Sequence, residues 1–374
     1  MRWILCALAG GLLCGQVLAG EPAREPDPAS WTERFDLSGL FYLTYENGSL
    51  DDEKYSRFYI TRAYFTVEAE ILPFLSGRLT LDTAQDLEGQ GRGDMEVRLK
   101  YALAKFHWKE IGILNDPNLE FGVVHMVWLD FEEHVNLYRM RGPMFMERSE
   151  IFNSADFGVT FASGLGADMD DTFLSYAGNK YGTRHGSLAV GLYNGSGYHG
   201  DERNVDKTVE ARVTWRPLPD VAKGLQVAGL IIDGDGNVEG IGGDPPDWTT
   251  YNGFVSYQFL HGTVTAQYAW GQGNQRGDWV EPDDPSRAMD FSGWSVFGEW
   301  RVGDRHQWRL IGGYDDFERV ADTGQNFSFR YGFASIGYDV GHENIVMIDV
   351  DQRDWQDPAR ATDRRAQLVL QLRF

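Results

Sequence analysis

The segment 129–154 carries five carboxylates and three arginines, together with polar and aromatic side chains. Carboxylates and guanidinium groups that face each other across a water-filled opening create a transverse field, which acts on small hydrophilic solutes and ions. The residues that could form such a constriction are Glu132, Glu133, Tyr138, Arg139, Arg141, Glu147 and Arg148. The alternative is an outer loop that never enters an opening and exposes the same charges to bulk water.

No pattern in the sequence predicts catalysis, a cofactor or a metal ion. The eight histidines lack zinc-site spacing, and nucleophile-elbow, P-loop and dinucleotide-binding motifs do not occur. Asp233-Gly-Asp-Gly-Asn237 matches the first ligand positions of a calcium loop, but Val238 replaces the glycine that must follow. An enzyme would need a Ser–His pair on neighbouring wall positions, and Ser56 or Ser328 beside a histidine stays open as an alternative.

Composition restricts the class of protein. The chain has 374 residues, 44 of them glycine, with 14% aromatic residues and a mean hydropathy of -0.39. A polytopic helical membrane protein needs several runs of about 20 apolar residues. The low mean hydropathy of this chain argues against such a protein. The net charge of -22 argues against a nucleic-acid partner, because nucleic-acid binding needs a basic face.

The first residues have the features of an export signal. Residues 1–19 combine Arg2, a short apolar stretch and the small-residue site ending at Ala19, which predicts a secretory signal peptide. Cys6 and Cys14, the two cysteines of the sequence, both lie inside it. We therefore expect a signal peptide over 1–19, a periplasmic N-terminal segment over 20–33 and one domain over 34–374, without disulfides.

The rest of the chain alternates with a period of two, which predicts strands between an apolar and a watery environment. In the segment 57–71 the odd positions are mostly apolar, whereas the even positions include Arg62, Glu68 and Glu70. Seventeen stretches show this alternation, and it is weakest in 171–178 and 186–194. Because bacterial single-chain barrels have an even number of strands, we predict sixteen. A soluble β-sandwich or β-propeller is the alternative.

The connections and the polar face predict a transmembrane antiparallel β-barrel. Long connections alternate with short ones, as extracellular loops and periplasmic turns do, and no insert long enough to fill such a barrel is evident. The charged residues on the polar face of the predicted strands are candidates for the wall of the lumen. They are Arg62, Arg78, Arg98, Lys100, Arg212, Arg309, Arg330, Glu68, Glu210 and Asp349. The longest connection, 129–154, is the candidate constriction loop.

The last strand has a specific ending. Leu370, Leu372 and Phe374 alternate with polar residues, and a terminal strand ending in Phe is the sorting signature of Gram-negative outer-membrane proteins. A soluble protein could end in this way by chance, but rarely together with a signal peptide and sixteen alternating strands. The predicted location is therefore the outer membrane of a Gram-negative bacterium, with its lipid bilayer as a partner.

Several segments resemble the phosphate-selective porin O/P family. They are RFYITRAYFTVEAE (57–70), FLSGRLTLD (74–82), DFGVTF (156–161), GLYNGSG (191–197) and RVTWRP (212–217). The resemblance implies a sixteen-stranded barrel, commonly a homotrimer, whose third loop folds inward. It also implies passive diffusion of small hydrophilic solutes or ions, including anions such as phosphate.

The sign of the selectivity stays open at this point. Channels of this family are rich in lumenal Arg and Lys, whereas the acidic excess of this chain favours cations or weak selectivity. A barrel hydrolase and a non-conducting structural or adhesive barrel are the alternative functions.

Overall fold

A computed structural model describes residues 34–85, 93–240, 244–324, 326–357 and 359–374. The predicted signal peptide 1–19, with Cys6 and Cys14, and the segment 20–33 lie outside the described residues. No helix in the described part of the chain is long and apolar enough to cross a membrane.

The described residues form eighteen strands, and sixteen of them close into one antiparallel barrel. The strands are β1 Phe35–Leu50, β2 Glu53–Leu72, β3 Leu75–Gln85, β4 Met95–His107, β5 Leu114–His125, β6 Ala155–Leu165, β7 Gly186–Tyr193, β8 Thr208–Trp215, β9 Leu225–Asp235, β10 Asp247–Phe259, β11 Gly262–Gln272, β12 Val280–Glu281, β13 Asp284–Ala288, β14 Asp290–Val302, β15 Trp308–Val320, β16 Phe329–Gly341, β17 Asn344–Trp355 and β18 Asp363–Arg373. The short pair β12–β13 stands apart from the barrel. The predicted sixteen-stranded barrel is confirmed.

The barrel closes where β1 pairs with β18, in register from Leu40↔Arg373 to Ser49↔Arg364. The N–H and the carbonyl of Gly39 pair with Phe374, at 2.9 and 3.1 Å. The ring of Phe374 stacks on Phe41 at 5.8 Å between centroids and covers Gly39, where a Cβ atom would meet that ring. A side chain at position 39 would therefore displace the Phe374 ring from this position.

Inward and outward side chains alternate along the strands. On β17, Met347 and Asp349 are fully buried inside the barrel, whereas Ile348 and Val350 are exposed on the outer face. Leu372 and Phe374 are exposed on the same outer face. A closed antiparallel sheet with an apolar outer surface is the architecture of outer-membrane barrels, and it places the chain in the outer membrane of a Gram-negative bacterium, as predicted.

Two irregularities in the ladder correct the predicted face of several residues. The β1–β2 register shifts between Tyr42 and Leu43, which makes Thr61 the extra residue of a bulge. Beyond the bulge the odd positions of β2 point inward, and the Tyr59 hydroxyl donates to Glu46 at 2.9 Å. A second shift, between Thr80 and Leu81, turns both Lys100 and Tyr101 inward. A strict alternation along the sequence would place Tyr59 and Tyr101 on the outer face.

The connections also differ from the expected pattern. The weak stretch 171–178 is not a strand, because Asp171–Ala177 forms a helix whose N-terminus is capped by the Asp170 side chain. This helix belongs to the connection 166–185. That connection lies on the periplasmic rim, where the first strand of the barrel begins and the last strand ends. One periplasmic turn is therefore long. On the opposite rim, the first connection is the two-residue turn 51–52.

We expect removal of Phe374 to weaken closure of the barrel, because both backbone bonds to Gly39 and the ring contact with Phe41 are lost. The cost is about 1–3 kcal/mol. The measurement is the temperature at which the protein, heated in detergent, stops migrating as the folded form on a gel and migrates as the unfolded form. Phe374→Leu keeps the backbone bonds and should give a smaller decrease. Equal stability of the shortened and full-length chains would contradict this assignment.

Candidate functional site

The connection between β5 and β6, residues 126–154, includes the candidate segment 129–154 and folds into the barrel; we call the whole connection the constriction loop. It contains helix α1 (Val127–Val135), a 3₁₀ turn (Arg139–Arg141) and helix α2 (Phe145–Arg148). The Glu210 carboxylate on β8 accepts hydrogen bonds from the N–H groups of Val127 and Trp128, at 3.1 and 3.0 Å. The two oxygens of this side chain satisfy two of the N–H groups that have no partner within the helix. The barrel wall therefore fixes where α1 begins.

The first half of the loop packs as a dry core against one side of the wall. Trp128 and Phe131 meet Phe254 of β10 edge-to-face, at 5.4 and 5.7 Å. Inward apolar side chains of the wall, such as Ile232 and Trp248, are fully buried in the same cluster. The loop and the apolar side chains that pack on it therefore occupy one side of the lumen without filling it.

The second half of the loop carries a compact ionic cluster. Arg139 contacts Glu147 through a bidentate ion pair and Glu133 at 3.1 Å, and Arg62 of β2 lies 3.7 Å from Glu147. Burial would raise the pKa of the Glu147 carboxyl, but Arg139 and Arg62 outweigh burial and lower that pKa to about 2. Glu147 is therefore ionised, and it holds the arginines of loop and wall together.

Two further arginines attach the loop to the opposite wall. Arg141 donates to the Tyr331 hydroxyl at 2.8 Å and lies 4.0 Å from Asp349, and its guanidinium stacks on Phe333. Arg148 pairs with Asp315 at 2.6 Å. Planar guanidinium groups suit such combined stacking and hydrogen bonding.

Glu132 is buried away from the open lumen, and Tyr138, which borders the lumenal space, is also nearly buried. Glu132 accepts hydrogen bonds from Trp128 Nε1 at 2.9 Å and Gln267 Nε2 at 2.7 Å. Burial, only partly offset by these hydrogen bonds, raises the pKa of Glu132 to about 7. The Tyr138 hydroxyl donates to Glu299 of β14. Both residues hold the loop against the wall.

The loop leaves a lumenal space of about 1090 Å³, which we call the main conduit. It is bounded mainly by β1–β4 and β14–β18, by the loop, and by residues 174–180. Nine cationic side chains line it: Arg62, Arg78, Lys100, Lys105, Arg139, Lys180, Arg301, Arg309 and Arg373. Four carboxylates line it: Asp130, Glu133, Asp339 and Glu343. Among the described residues the lining therefore has more cations than carboxylates, although several of these cations pair with carboxylates behind it, such as Arg301 with Glu299 and Arg62 with Glu147.

The predicted wall residues fall into three groups. Arg62, Arg78, Lys100 and Arg309 line the main conduit, and Glu68 lies 3.5 Å from Arg78. Three candidates are instead buried behind the loop, namely Arg212, Glu210 and Asp349. Their carboxylate and guanidinium groups support the loop rather than face passing solutes.

The remaining two wall candidates do not line the main conduit. Arg98 pairs with Glu96 on the same strand, at 2.9 Å. Arg330 is half-exposed beside Asp316 at 3.2 Å and alternates with the inward residues Phe329 and Tyr331. The prediction is therefore wrong for Arg330, which lies on the outer face of the barrel. The period-two pattern fixes only that neighbours face opposite ways, and the sequence 326–331 does not show which set is inward.

Sequence reasoning missed Lys105, Arg301 and Lys180 in the conduit. Lys105 follows the bulge in β4, which reverses the face that strict alternation assigns to it. Arg301 follows Glu299 at a spacing of two, so the alternation could have identified it. Lys180 lies in the connection 166–185, where no periodic signal exists.

Comparisons with known proteins support the fold. No family model and no curated protein matches the chain. OmpF of Salmonella typhi, solved with daunomycin, shares 15% identity, with a TM-score of 0.61 over 91% of this chain and 97% of that one. An anion-selective porin of Comamonas acidovorans shares 9%, with a TM-score of 0.60 over 91% and 99%. The trimer form of OmpT of Vibrio cholerae shares 12%, with a TM-score of 0.53 over 91% and 100%. The fold is that of the outer-membrane porins.

We expect the stability of the docked loop to depend on pH through Glu132. Its folded-state pKa lies above the unfolded value of about 4.3, so the penalty for ionising the carboxyl is absent at low pH and grows until the pH passes 7. Glu132→Gln should therefore gain melting temperature relative to the natural chain between about pH 5 and pH 8.

Glu147→Gln is the matched control, because the folded pKa of Glu147 is lowered. Its stabilising charge is fully present above about pH 4.3, so this variant should lose melting temperature almost equally at both pH values. Tryptophan fluorescence during heating in detergent reports both changes. If the melting temperatures of Glu132→Gln and the natural chain differ by the same amount at pH 5 and at pH 8, the assignment for Glu132 is contradicted.

Proposed function

We propose that this protein is an outer-membrane porin for passive diffusion of small hydrophilic solutes, with a preference for anions that include inorganic phosphate. The observation that carries the proposal is the lining of the main conduit, in which nine cationic side chains face four carboxylates. Like charges along a low-dielectric channel attract counterions and raise their local concentration. The resemblance to phosphate-selective porins agrees with this sign of selectivity.

The acidic net charge does not oppose this preference, because many carboxylates are remote from the conduit. Examples of exposed carboxylates that do not line it are Asp52, Glu53, Asp94, Asp220 and Asp283. Charges on loops in water are screened within about 8 Å at physiological ionic strength. The cations inside the barrel are therefore expected to dominate selectivity.

We also propose that the functional unit is a homotrimer. The resemblance to the porin O/P family implies this assembly, and one of the similar structures is a trimer form. A complete pore is contained within one chain, since the barrel closes on itself. Trimerisation would therefore stabilise the barrels rather than complete the conduit.

A non-conducting barrel is the second candidate, because the apolar core of the constriction loop fills one side of the lumen. The hydrolase alternative lacks a comparable observation. Ser56 shares a hydrogen bond with the Tyr45 hydroxyl, and Ser328 contacts Asn326. Within the described ranges neither serine is hydrogen-bonded to a histidine. Single-channel recording in a planar bilayer separates the candidates: stable steps support the porin, and silence supports a blocked barrel.

We expect Arg62→Gln combined with Lys100→Gln to reduce the anion preference. Both side chains donate to the Tyr64 hydroxyl, at 2.6 and 3.0 Å, and both line the conduit. Removing two of the nine cations should lower the anion-to-cation permeability ratio by about twofold or more. The measurement is the reversal potential in a salt gradient.

Arg330→Gln provides the matched control, because Arg330 lies on the outer face of the barrel. This variant changes the net charge by the same type of substitution but should leave the reversal potential unchanged. Because Arg330→Gln removes one charge and the double variant removes two, a shift in Arg330→Gln of about half that in the double variant would mean that overall charge, and not the lining, determines selectivity. A cation-selective natural channel would overturn the proposed preference.

A further inference from the structure

The connection between β6 and β7, residues 166–185, does not extend away from the barrel as a simple turn. We call this segment the shelf. It contains the helix Asp171–Ala177, α3, and begins and ends at Leu165↔Gly186 on the periplasmic rim. The shelf turns inward, because residues 174–180 line the main conduit.

Contacts with the wall hold the shelf across one sector of the rim. Asp170 pairs with Lys223 at 2.6 Å in the β8–β9 turn. Arg301 of β14 donates to the Tyr176 carbonyl at 3.2 Å, and Arg216 stacks on Phe173. From β7 to β14 is five steps around the barrel of sixteen strands. The shelf therefore reaches well across the opening rather than following the edge of its own strands.

The shelf also supports the constriction loop from the periplasmic side. Asp130 of α1 accepts hydrogen bonds from Lys180 Nζ, at 2.5 Å, and from the Tyr181 hydroxyl. The ring of Tyr181 lies edge-on to Phe131 at 5.5 Å, and Arg212 stacks on both rings at 4.6 and 4.8 Å. Loop and shelf therefore form one continuous partition beside the main conduit.

The conduit-facing part of the shelf contributes bulk but little charge. Residues 174–180 read LSYAGNK, in which Lys180 is the one charged side chain. The Lys180 ammonium is matched by the Asp130 carboxylate. Three arginines of the main conduit, Arg301, Arg309 and Arg373, lie on the wall and not on the shelf. Narrowing by the shelf therefore acts on the size of a solute, whereas the wall acts on its charge.

We propose that the shelf is a second barrier, in series with the constriction loop, which sets the upper size of solutes that leave the main conduit toward the periplasm. This inference rests on the proposed function, because a size limit has meaning only in a conducting pore. It assigns size and sign of charge to different residues, so the two properties can be changed separately.

The test uses single cysteines on the full chain. The sequence has cysteines only at positions 6 and 14, both in the predicted signal peptide, so an introduced thiol is unique after export. Ser175→Cys places a thiol on the conduit side of α3, and Thr172→Cys places an exposed thiol one turn earlier on the same helix, at a position that does not line the conduit. Asn179→Cys is a second conduit-lining variant in case one substitution disturbs folding.

Each thiol is modified with a neutral maleimide that carries a short polyethylene-glycol chain, and the extent of labelling is measured by mass spectrometry. Labelling at position 175 or 179 should lower the single-channel conductance by about twofold or more, because the added group occupies part of the main conduit beside the shelf. It should also slow the swelling of proteoliposomes in neutral sugars, most strongly for the larger sugars. Labelling at position 172 should change neither quantity, and the reversal potential should stay unchanged throughout.

Complete labelling at 175 and 179 without a change in conductance would overturn the proposal, as would equal effects at 172. Thiols at 175 and 179 that resist the reagent while the thiol at 172 reacts would also overturn it, because they would not face an open conduit. An effect of the shelf label in a channel without anion preference would retain the shelf and reject only the proposed selectivity. A silent natural protein would reject both.

Discussion

The need to pair every backbone polar group away from water is the constraint on which this structure depends. In a lipid environment an open sheet edge is not tolerated, so β1 must find β18. That closure fixes the diameter of the barrel and creates a protected interior. Inside it, the constriction loop can bury its own apolar side chains. The carboxylate of Glu210 then determines where the loop helix begins, because it accepts from the first N–H groups of α1.

The interior of the barrel has two chemically different sides. One side holds an apolar core between the loop and strands such as β9 and β10, and the other side holds the cationic main conduit. Arg139 and Glu147 lie at the junction between them, where a fully ionised pair is compatible with partial burial because each charge has several partners. The polar interior expected of a porin is thus confined to part of the circumference.

The sequence predicts the barrel well because strands between lipid and water must alternate. Its longest connection is the one that packs against the inner wall, but length alone does not show that a loop turns inward. The sequence predicts the faces of individual residues less well. The extra residue Thr61 reverses the alternation of inward and outward side chains beyond it in β2. No glycine, proline or other turn residue in the sequence marks this bulge. The stretch 171–178 alternates weakly but is helical, since Asp170 caps it and Gly178 ends it. Inward apolar residues such as Ile232 contradict the polar-inside rule because their partners come from a distant loop.

The dry contacts of the constriction loop have a consequence for how the pore responds to its surroundings. The loop is attached by side chains of the inner wall, including Asp315, Asp349 and Glu299, and none of these touches lipid. Bilayer thickness and acyl-chain composition act on the outer surface, which is a rigid hydrogen-bonded cylinder. The bore should therefore keep its shape when the protein is transferred between membranes or into micelles.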